Sequence, residues 1–334
     1  MKIVPAFLIF ILLLSSCKKM TIDGELCLDT IFSQAILSES LQAVFFLNGK
    51  DGFVSGYNGG IYKTTDSAKN WIQQNSTTTL PIHDLFFVDA MQGFAVGGQN
   101  TCGGTGCTIP GGFILKTIDG GNTWMKVYTP LNKIEISSIY FITTSIGFFV
   151  GDNVIIKTTD GGQTWSEHKI DNLGGTMMQV KFVNQQTGYI VCAFDKLVKT
   201  EDGGLTWQVT SPQPIRGYLS ISEANGSIYV SGQGKMMKST NGGDSWTELS
   251  NTPYNIYFIH FISDSKGFAF GAGNYSGGDF GHNYGSIYCT INGGITWNGS
   301  ADIKEVGPIR AVSFPANNLA YAVSGNKIIR LIAK

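Results

Sequence analysis

Charged side chains are scarce in this chain. Asp, Glu, Lys and Arg together make up 14% of its 334 residues, against about 25% in an average soluble domain. Only three residues are arginines, namely Arg216, Arg310 and Arg330, and the net charge is −1. Nucleic-acid binding relies on a strongly basic face. The composition therefore argues against nucleic acid as a partner.

Sequence signals of several other protein classes are also missing. After the apolar stretch Ile3 to Leu14, no apolar run is long enough to span a bilayer. The chain contains no phosphate-binding loop, zinc-binding helix motif or nucleophile elbow. We therefore expect neither a cofactor nor a metal ion, and no motif of this kind indicates an enzyme.

Glycine and aromatic residues, by contrast, are abundant, with 43 glycines and an aromatic share of 12%. The segment Thr158-Thr159-Asp160-Gly161-Gly162-Gln163-Thr164-Trp165 occurs in six versions, and each of the six tryptophans ends one of them. Asn takes the Asp place in two copies, and Ser67-Ala68 replaces the glycine pair in the first. The Asp or Asn and the Trp of the copies are Asp66 and Trp71, Asp119 and Trp124, Asp160 and Trp165, Asp202 and Trp207, Asn241 and Trp246, and Asn292 and Trp297.

The chemistry of this box is that of a hairpin turn. The Asp or Asn oxygen accepts backbone N–H bonds that close the turn, and the glycine pair supplies positive φ angles. The Thr restarts an extended strand, and the Trp gives that strand a large apolar surface to bury. No active site needs six scattered copies of one motif, so we interpret the box as a structural element.

The box resembles the Asp-box, or BNR, repeat of sialidases, the sortilin family, xyloglucanases and the Ycf48/Hcf136-type photosystem II assembly factors. In repeat style the chain is most similar to the last of these. The resemblance implies a β-propeller of four-stranded blades in which the box joins the two outer strands of each blade. It covers roughly residues 38–334, and its specific motif is structural.

The spacing of the repeats predicts how many blades there are. The tryptophans recur at roughly 40 to 50 residues, as in propellers. Six phenylalanines also precede a small residue by six positions, and an aromatic follows that small residue; these landmarks are Phe46, Phe87, Phe141, Phe182, Phe261 and Phe314. Residues 219–232 fit the same pattern loosely, with Tyr229 in the aromatic place. The sequence therefore predicts seven units.

The seventh unit, Ile309 to Leu331, ends before its outer strand. Residues 26–37 alternate weakly in polarity and are the candidate for that strand. We therefore predict an all-β, seven-bladed propeller whose ring is closed by an N-terminal strand, since closure removes exposed strand edges. The predicted segments are 1–16 as a signal peptide, 17–37 as lipidated N-terminus and closing strand, and 38–334 as the propeller.

The amino terminus resembles a bacterial lipoprotein signal. Met1-Lys2 and the apolar stretch lead into Leu14-Ser15-Ser16-Cys17, which is similar to a lipobox. The resemblance implies cleavage before Cys17 and lipid on that residue; the alternative is an ordinary signal peptide with an incidental cysteine. Lys18-Lys19 follow where Asp would favour the inner membrane, so we expect an outer-membrane anchor in the cell envelope.

The other five cysteines receive different interpretations. Cys102 and Cys107 flank a glycine-rich segment, and outside the cytoplasm they are predicted to form a disulfide. A metal site there would need a second pair of ligands, which the segment lacks. Cys192 and Cys289 lie in apolar strand patterns and are predicted to be buried thiols. Cys27 has no assigned role.

Candidate binding residues fall on one face of the predicted ring. Two long insertions, Gly97 to Gly112 and Gly271 to Ser286, join second and third strands and lie on the face opposite the boxes. The inner strands begin on this loop face, and the residue four before each landmark differs from unit to unit: Gln42, His83, Ser137, Met178, Tyr257 and Arg310. The candidate binding residues are His83, Asp84, Arg216, Tyr257, Tyr275, Phe280, His282, Tyr284 and Arg310, although His83 fits a purely local hydrogen bond equally well.

Two functions remain open from the sequence. The first is a monomeric, lipid-anchored scaffold that binds an envelope protein or a glycan without catalysis. The second is a glycan hydrolase similar to sialidases or xyloglucanases. A sialidase needs three converging arginines, and Arg330 occupies a framework position held by Lys in other units. Either hydrolase needs a carboxylate pair, for which Asp84 with Asp279 is a candidate.

Overall fold

The computed structural model describes residues 18–19, 29–32, 39–99, 111–194, 196–210, 219–232, 234–273, 284–303 and 306–333. Within these ranges the chain forms 29 β-strands in seven antiparallel sheets and no helix. Two short strands, β1 (Lys18–Lys19) and β2 (Asp29–Phe32), precede the first blade. The prediction of an all-β, seven-bladed propeller with four-stranded antiparallel blades is confirmed.

The first six blades each run from the innermost to the outermost strand in chain order. Blades one to three are β3 (Leu41–Phe46), β4 (Gly52–Gly56), β5 (Ile61–Thr64), β6 (Ile72–Gln74); β7 (Ile82–Phe87), β8 (Gly93–Gln99), β9 (Gly111–Thr117), β10 (Met125–Tyr128); and β11 (Ser138–Phe141), β12 (Gly147–Gly151), β13 (Val154–Thr158), β14 (Ser166–Lys169). Blades four to six are β15 (Met177–Phe182), β16 (Gly188–Cys192), β17 (Leu197–Thr200), β18 (Gln208–Thr210); β19 (Ser220–Ala224), β20 (Ser227–Gly232), β21 (Lys235–Ser239), β22 (Thr247–Glu248); and β23 (Ile256–Phe261), β24 (Gly267–Ala272), β25 (Gly285–Thr290), β26 (Asn298–Ile303).

The seventh sheet draws on both ends of the chain. It contains β27 (Ala311–Ala316), β28 (Leu319–Ser324) and β29 (Lys327–Ile332), and β2 pairs antiparallel with β29, with Thr30 opposite Leu331. β1 pairs in turn with β2. This is the place that the sequence predicts for a closing strand from residues 26–37, and its contribution to closing the ring stays a prediction.

Aromatic stacking between neighbouring blades explains the landmark pattern. The aromatic residue on the second strand of one blade packs on the landmark Phe of the next. The ring centroids of Phe53 and Phe87 lie 4.2 Å apart, and those of Tyr229 and Phe261 lie 3.5 Å apart. The small residue beside each landmark makes room for its ring. A Cβ at Gly147, for example, would lie 2.5 Å from the Phe141 ring. The landmarks are therefore packing positions.

The boxes form the turns that the sequence predicts. In the second blade, Asp119 Oδ1 accepts the Asn122 and Thr123 N–H groups at 3.0 and 2.9 Å. Thr117 Oγ1 accepts the Gly121 N–H at 2.9 Å, and Gly121 has a φ of 80°. In the first copy Ser67 and Ala68 both adopt a φ of 65° without glycine.

In four blades the lysine of the third strand contacts the box of the next blade. Lys63 Nζ donates to the Gly120 carbonyl at 2.7 Å, and Lys116 Nζ donates to the Gly161 carbonyl at 2.7 Å. Arg330 occupies the same strand position in blade seven, as its register opposite Tyr321 shows. In blade six that position is Cys289, which is disulfide-bonded. The prediction of a buried thiol is therefore wrong for Cys289 and right for Cys192, which is free and buried.

We expect Trp124→Ala to lower the free energy of unfolding by about 3–5 kcal/mol, since the residue is 1% exposed and its loss leaves a cavity. Its ring packs edge-on against Phe87 at 5.8 Å. The matched control is Ile118→Ala in the same box, where the side chain is 60% exposed; it should change the value by less than about 0.5 kcal/mol. Urea denaturation measures both. Equal effects of the two changes would show that the box Trp is not a packing residue.

We expect deletion of residues 18–37 to lower the thermal midpoint of the whole propeller, because β29 would lose the strand that pairs with it. A charge-preserving control keeps the length of the segment and replaces Ile31 and Phe32, the two apolar residues of β2, with Ser. Calorimetry measures both proteins against the intact chain. An unchanged midpoint after the deletion would make the segment a tether without a part in closure.

Candidate functional site

The inner strands surround a central cavity of about 450 Å³ that opens on the loop face. The inner strand of each blade lies nearest the ring axis, so the first residues of these strands converge there. The structure brings together all six unit-specific positions that the sequence singles out, and Leu219 joins them from blade five. The cavity-lining members of this set are Gln42, His83, Ser137, Met178, Leu219, Tyr257 and Arg310.

His83 pairs with a carboxylate that the sequence does not indicate. Its Nε2 lies 2.5 Å from Glu135 Oε1 and 3.2 Å from the Gly98 carbonyl oxygen. Glu135 precedes β11 in the connection from blade two to blade three, and no motif marks it. The local hydrogen bond expected for His83 is present at Gly98, and the Glu135 contact adds a bond to the next blade.

Asp84 joins two blades through its carboxylate. Oδ1 accepts the Leu85 N–H and Oδ2 accepts the Ile139 N–H of the next blade, both at 2.9 Å. Although the residue keeps some surface toward the cavity, protein atoms enclose the carboxylate. Burial raises its pKa from 3.8 to about 6, against the hydrogen bonds from Ile139, Leu85 and Ser138 and the charge of His83, which lower it. The carboxylate is thus a structural acceptor.

A second ring of side chains lines the cavity below these positions. It is formed by the residue before each landmark, and Phe45, Phe86, Tyr140 and Lys181 are its members in blades one to four. The repeat pattern in the sequence did not predict this ring. The available signal was a position that is aromatic in three units and basic in the fourth, within an otherwise repeated strand.

Burial shifts the ionisation of groups around this second ring. It lowers the pKa of Lys181, which the charge of Glu223 raises in part. It raises the pKa of Tyr140, and Glu223 adds to that shift. Burial and the charge of Lys181 lower the pKa of His260 from 6.5 to about 3, so His260 is neutral at physiological pH.

The remaining predicted residues have different outcomes. Tyr257 and Arg310 lie exposed at the mouth of the cavity. Tyr284 is half-buried, and its carbonyl oxygen accepts the Gly273 N–H at 2.7 Å. The other predicted functional residues lie outside the described residues; they are Cys17, Cys102, Cys107, Arg216, Tyr275, Phe280, His282 and Asp279.

Neither a metal centre nor a membrane helix is found where the structure describes the chain. In those ranges no three His, Cys, Asp or Glu side chains are grouped so as to hold a metal ion. No helix of the described residues has the length and apolarity needed to cross a bilayer.

Comparisons with known proteins agree with the repeat and the fold. A family model described as photosynthesis system II assembly factor YCF48 matches residues 117–207 and 172–250. No curated protein matches the chain in sequence. The solved structure of YCF48 from Cyanidioschyzon merolae is similar with a TM-score of 0.68 and 15% identity over 90% of this chain and 98% of that one.

Two enzymes with known structures share the fold. The GH74 enzyme from Niastella koreensis has a TM-score of 0.65 and 20% identity over 89% of this chain and 53% of that one, so this chain spans about half of the enzyme. A streptogramin B lyase has a TM-score of 0.70 and 14% identity over 92% and 97% of the two chains. At these identities the similarity concerns the fold alone.

We expect the stability of the protein to depend on pH through Asp84. Its pKa is raised on folding, so the native state holds the proton more tightly than the unfolded state. Ionisation therefore destabilises the fold as pH rises from about 4 to about 6, by up to about 3 kcal/mol. Asp84→Asn has no carboxylate to ionise. The free energy of unfolding of this variant minus that of the unsubstituted protein, measured by urea denaturation, should therefore increase over this pH range.

Asp119→Asn is the control for this titration. Hydrogen bonds, first from Thr123, lower the pKa of Asp119 from 3.8 to about 2. Its stabilising contribution is therefore complete above pH 4 and is lost only as pH falls toward 2. The stability difference for Asp119→Asn should stay constant between pH 4 and pH 7. A constant difference for Asp84→Asn over the same range would contradict the buried-carboxylate interpretation.

Proposed function

We propose that this chain, a Ycf48-like propeller of BNR repeats, is a non-enzymatic scaffold that binds a partner at the mouth of its central cavity. One observation carries the proposal. Packing and turn positions repeat from blade to blade, whereas the residues that converge at the mouth differ in every blade. The ring brings these positions together, and neither packing nor turn formation accounts for the variety of their side chains, which a binding site would use.

The side chains at the mouth are of the types that dominate binding energy at interfaces. Tyr257 is 38% exposed and Met178 is 36% exposed, and Arg310 is exposed beside them. Tyr and Arg are the residues most often found as energetic anchors of protein interfaces. Among the described residues no carboxylate forms an ion pair with Arg310. The Arg310 side chain is exposed at the mouth.

The described groups that could carry catalysis are engaged in other contacts. The Asp84 carboxylate accepts two backbone N–H bonds, and His83 is paired with Glu135. A glycosidase needs two carboxylates placed on either side of the scissile bond. The fold shared with a GH74 enzyme keeps glycan hydrolysis as the rival function, and Asp84 is the residue on which that function would depend.

We further propose that the scaffold acts in the bacterial cell envelope as a lipid-anchored monomer. The lipobox-like Leu14-Ser15-Ser16-Cys17 supports this location, and the lysines that follow favour the outer membrane. The expected partner is then an envelope protein, and an envelope glycan is the alternative ligand. A partner protein suits the exposed Tyr257 and Arg310, since large aromatic and guanidinium groups anchor protein interfaces.

We expect a photoreactive amino acid at position 257 to cross-link one envelope protein, and Arg310→Ala to reduce that cross-link at least about fivefold. The yield is measured by mass spectrometry after capture of the propeller from cells. The matched control places the same photoreactive group at Leu205, which is 76% exposed in a box turn on the opposite face. Lys69→Ala, an exposed cation in another box, is the charge control.

The outcomes separate the candidate functions. The proposed site would be contradicted if positions 257 and 205 cross-linked the same protein, or if position 257 cross-linked none. If the protein released sugar from envelope glycans, and Asp84→Asn abolished this release in a protein that remained folded, the result would support the hydrolase function and contradict the scaffold function. Retention on immobilised glycan without sugar release would favour the glycan ligand over the protein.

A further inference from the structure

An arc of aromatic rings lines the central cavity below its mouth. Phe45, Phe86 and Tyr140 occupy the same position in three successive inner strands. The Phe45 and Phe86 rings lie 5.6 Å apart, and the Phe86 and Tyr140 rings lie 5.8 Å apart, each pair tilted. Lys181 holds this position in the fourth blade. The arc therefore ends in a cation.

Two polar groups at the end of the arc have no partner among the residues that the structure describes. In the described part of the chain, the Lys181 ammonium and the Tyr140 hydroxyl form neither a hydrogen bond nor an ion pair. A cation that is largely removed from water without a paired charge is costly. Desolvation lowers the pKa of Lys181. An anion bound beside it would supply the missing charge.

The carboxylates around the cavity do not fill this role. Asp84 accepts backbone N–H groups and Glu135 contacts His83. Glu223 Oε1 accepts the Gly226 N–H at 2.8 Å, and its charge acts on Lys181 without an ion pair. Arg310 at the mouth adds a second cation without an ion pair among the described residues. The cavity thus offers two cations and an aromatic wall to a ligand.

The far wall of the cavity is also aromatic. Phe258 and Phe314 line it, and the neutral His260 ring stacks on Phe314 at 4.0 Å. The volume of about 450 Å³ falls in the range of about 300–1,000 Å³ that is usual for small-molecule sites. We propose that the central cavity binds a small aromatic carboxylate, whose ring lies against Phe45, Phe86 and Tyr140 and whose carboxylate faces Lys181. The site goes beyond the scaffold function, because it needs no partner protein.

Fluorine NMR of the purified full-length chain tests this site with 4-fluorobenzoate as the probe. The probe should bind, and 4-fluorobenzamide, which has the same ring without the charge, should bind at least about tenfold more weakly. Acetate, which has the charge without the ring, should fail to displace the probe at equal concentration. Lys181→Met should weaken binding of 4-fluorobenzoate at least about tenfold, and Arg310→Ala by a smaller factor.

The controls keep the result interpretable. Lys181→Met removes a desolvated charge and keeps the aliphatic stem, so the variant should remain folded, which its thermal midpoint verifies. Lys235→Met, at an exposed lysine paired with Glu248 at 2.9 Å, should leave binding unchanged. Equal affinity for the benzoate and the benzamide, or unchanged binding by Lys181→Met, would overturn the proposal. Neither result would alter cross-linking from position 257, so the two proposals fail independently.

Discussion

The architecture depends on one contact, in which an aromatic ring from the second strand of a blade packs on the landmark ring of the next; it occurs at six of the seven joints between blades. It is missing between blades four and five, because β19 contains no aromatic residue. It is present at the joint between the two ends of the chain, where the ring centroids of Tyr321 in blade seven and Phe46 in blade one lie 3.5 Å apart. The Tyr321 hydroxyl also donates to the Gly49 carbonyl at 2.9 Å. Aromatic pairs stabilise a fold by more than the apolar area that they bury. A repeated contact of this kind therefore aligns neighbouring blades without one core common to all of them.

Stacking at the landmark positions leaves the inner strands free to vary. They are tied to one another by a second kind of bond, in which a polar side chain of one blade accepts a backbone N–H of the next. Acceptor oxygens of this kind belong to Asp84, Ser138, Gln179, Ser220, Ser222 and Ser313. The acceptor residue is Asp, Ser or Gln in different blades, but the hydrogen bond to the backbone of the next blade is present in each of these cases. The cavity wall is therefore chemically varied within a regular ring, as a binding site requires.

Two kinds of carboxylate in this protein carry opposite pKa shifts. Box carboxylates such as Asp119 are open to solvent and accept several hydrogen bonds, which lower their pKa. Asp84 also accepts hydrogen bonds, but its desolvation outweighs them and raises the pKa. What decides the direction is whether water still reaches the carboxylate, which depends on its place in the ring.

The amino-acid sequence by itself determined the strands, the box turns and the number of blades. Each box closes its bonds within a few residues, as Asp160 does with Gln163 and Thr164, so a local pattern is sufficient to reveal it. The sequence also indicated which inner positions differ between blades. Only the tertiary structure decided that Glu135 contacts His83 and that Lys181 lines the cavity without an ion pair among the described residues. Such contacts join different blades, and their geometry follows from ring closure and inter-blade register, which no local pattern encodes.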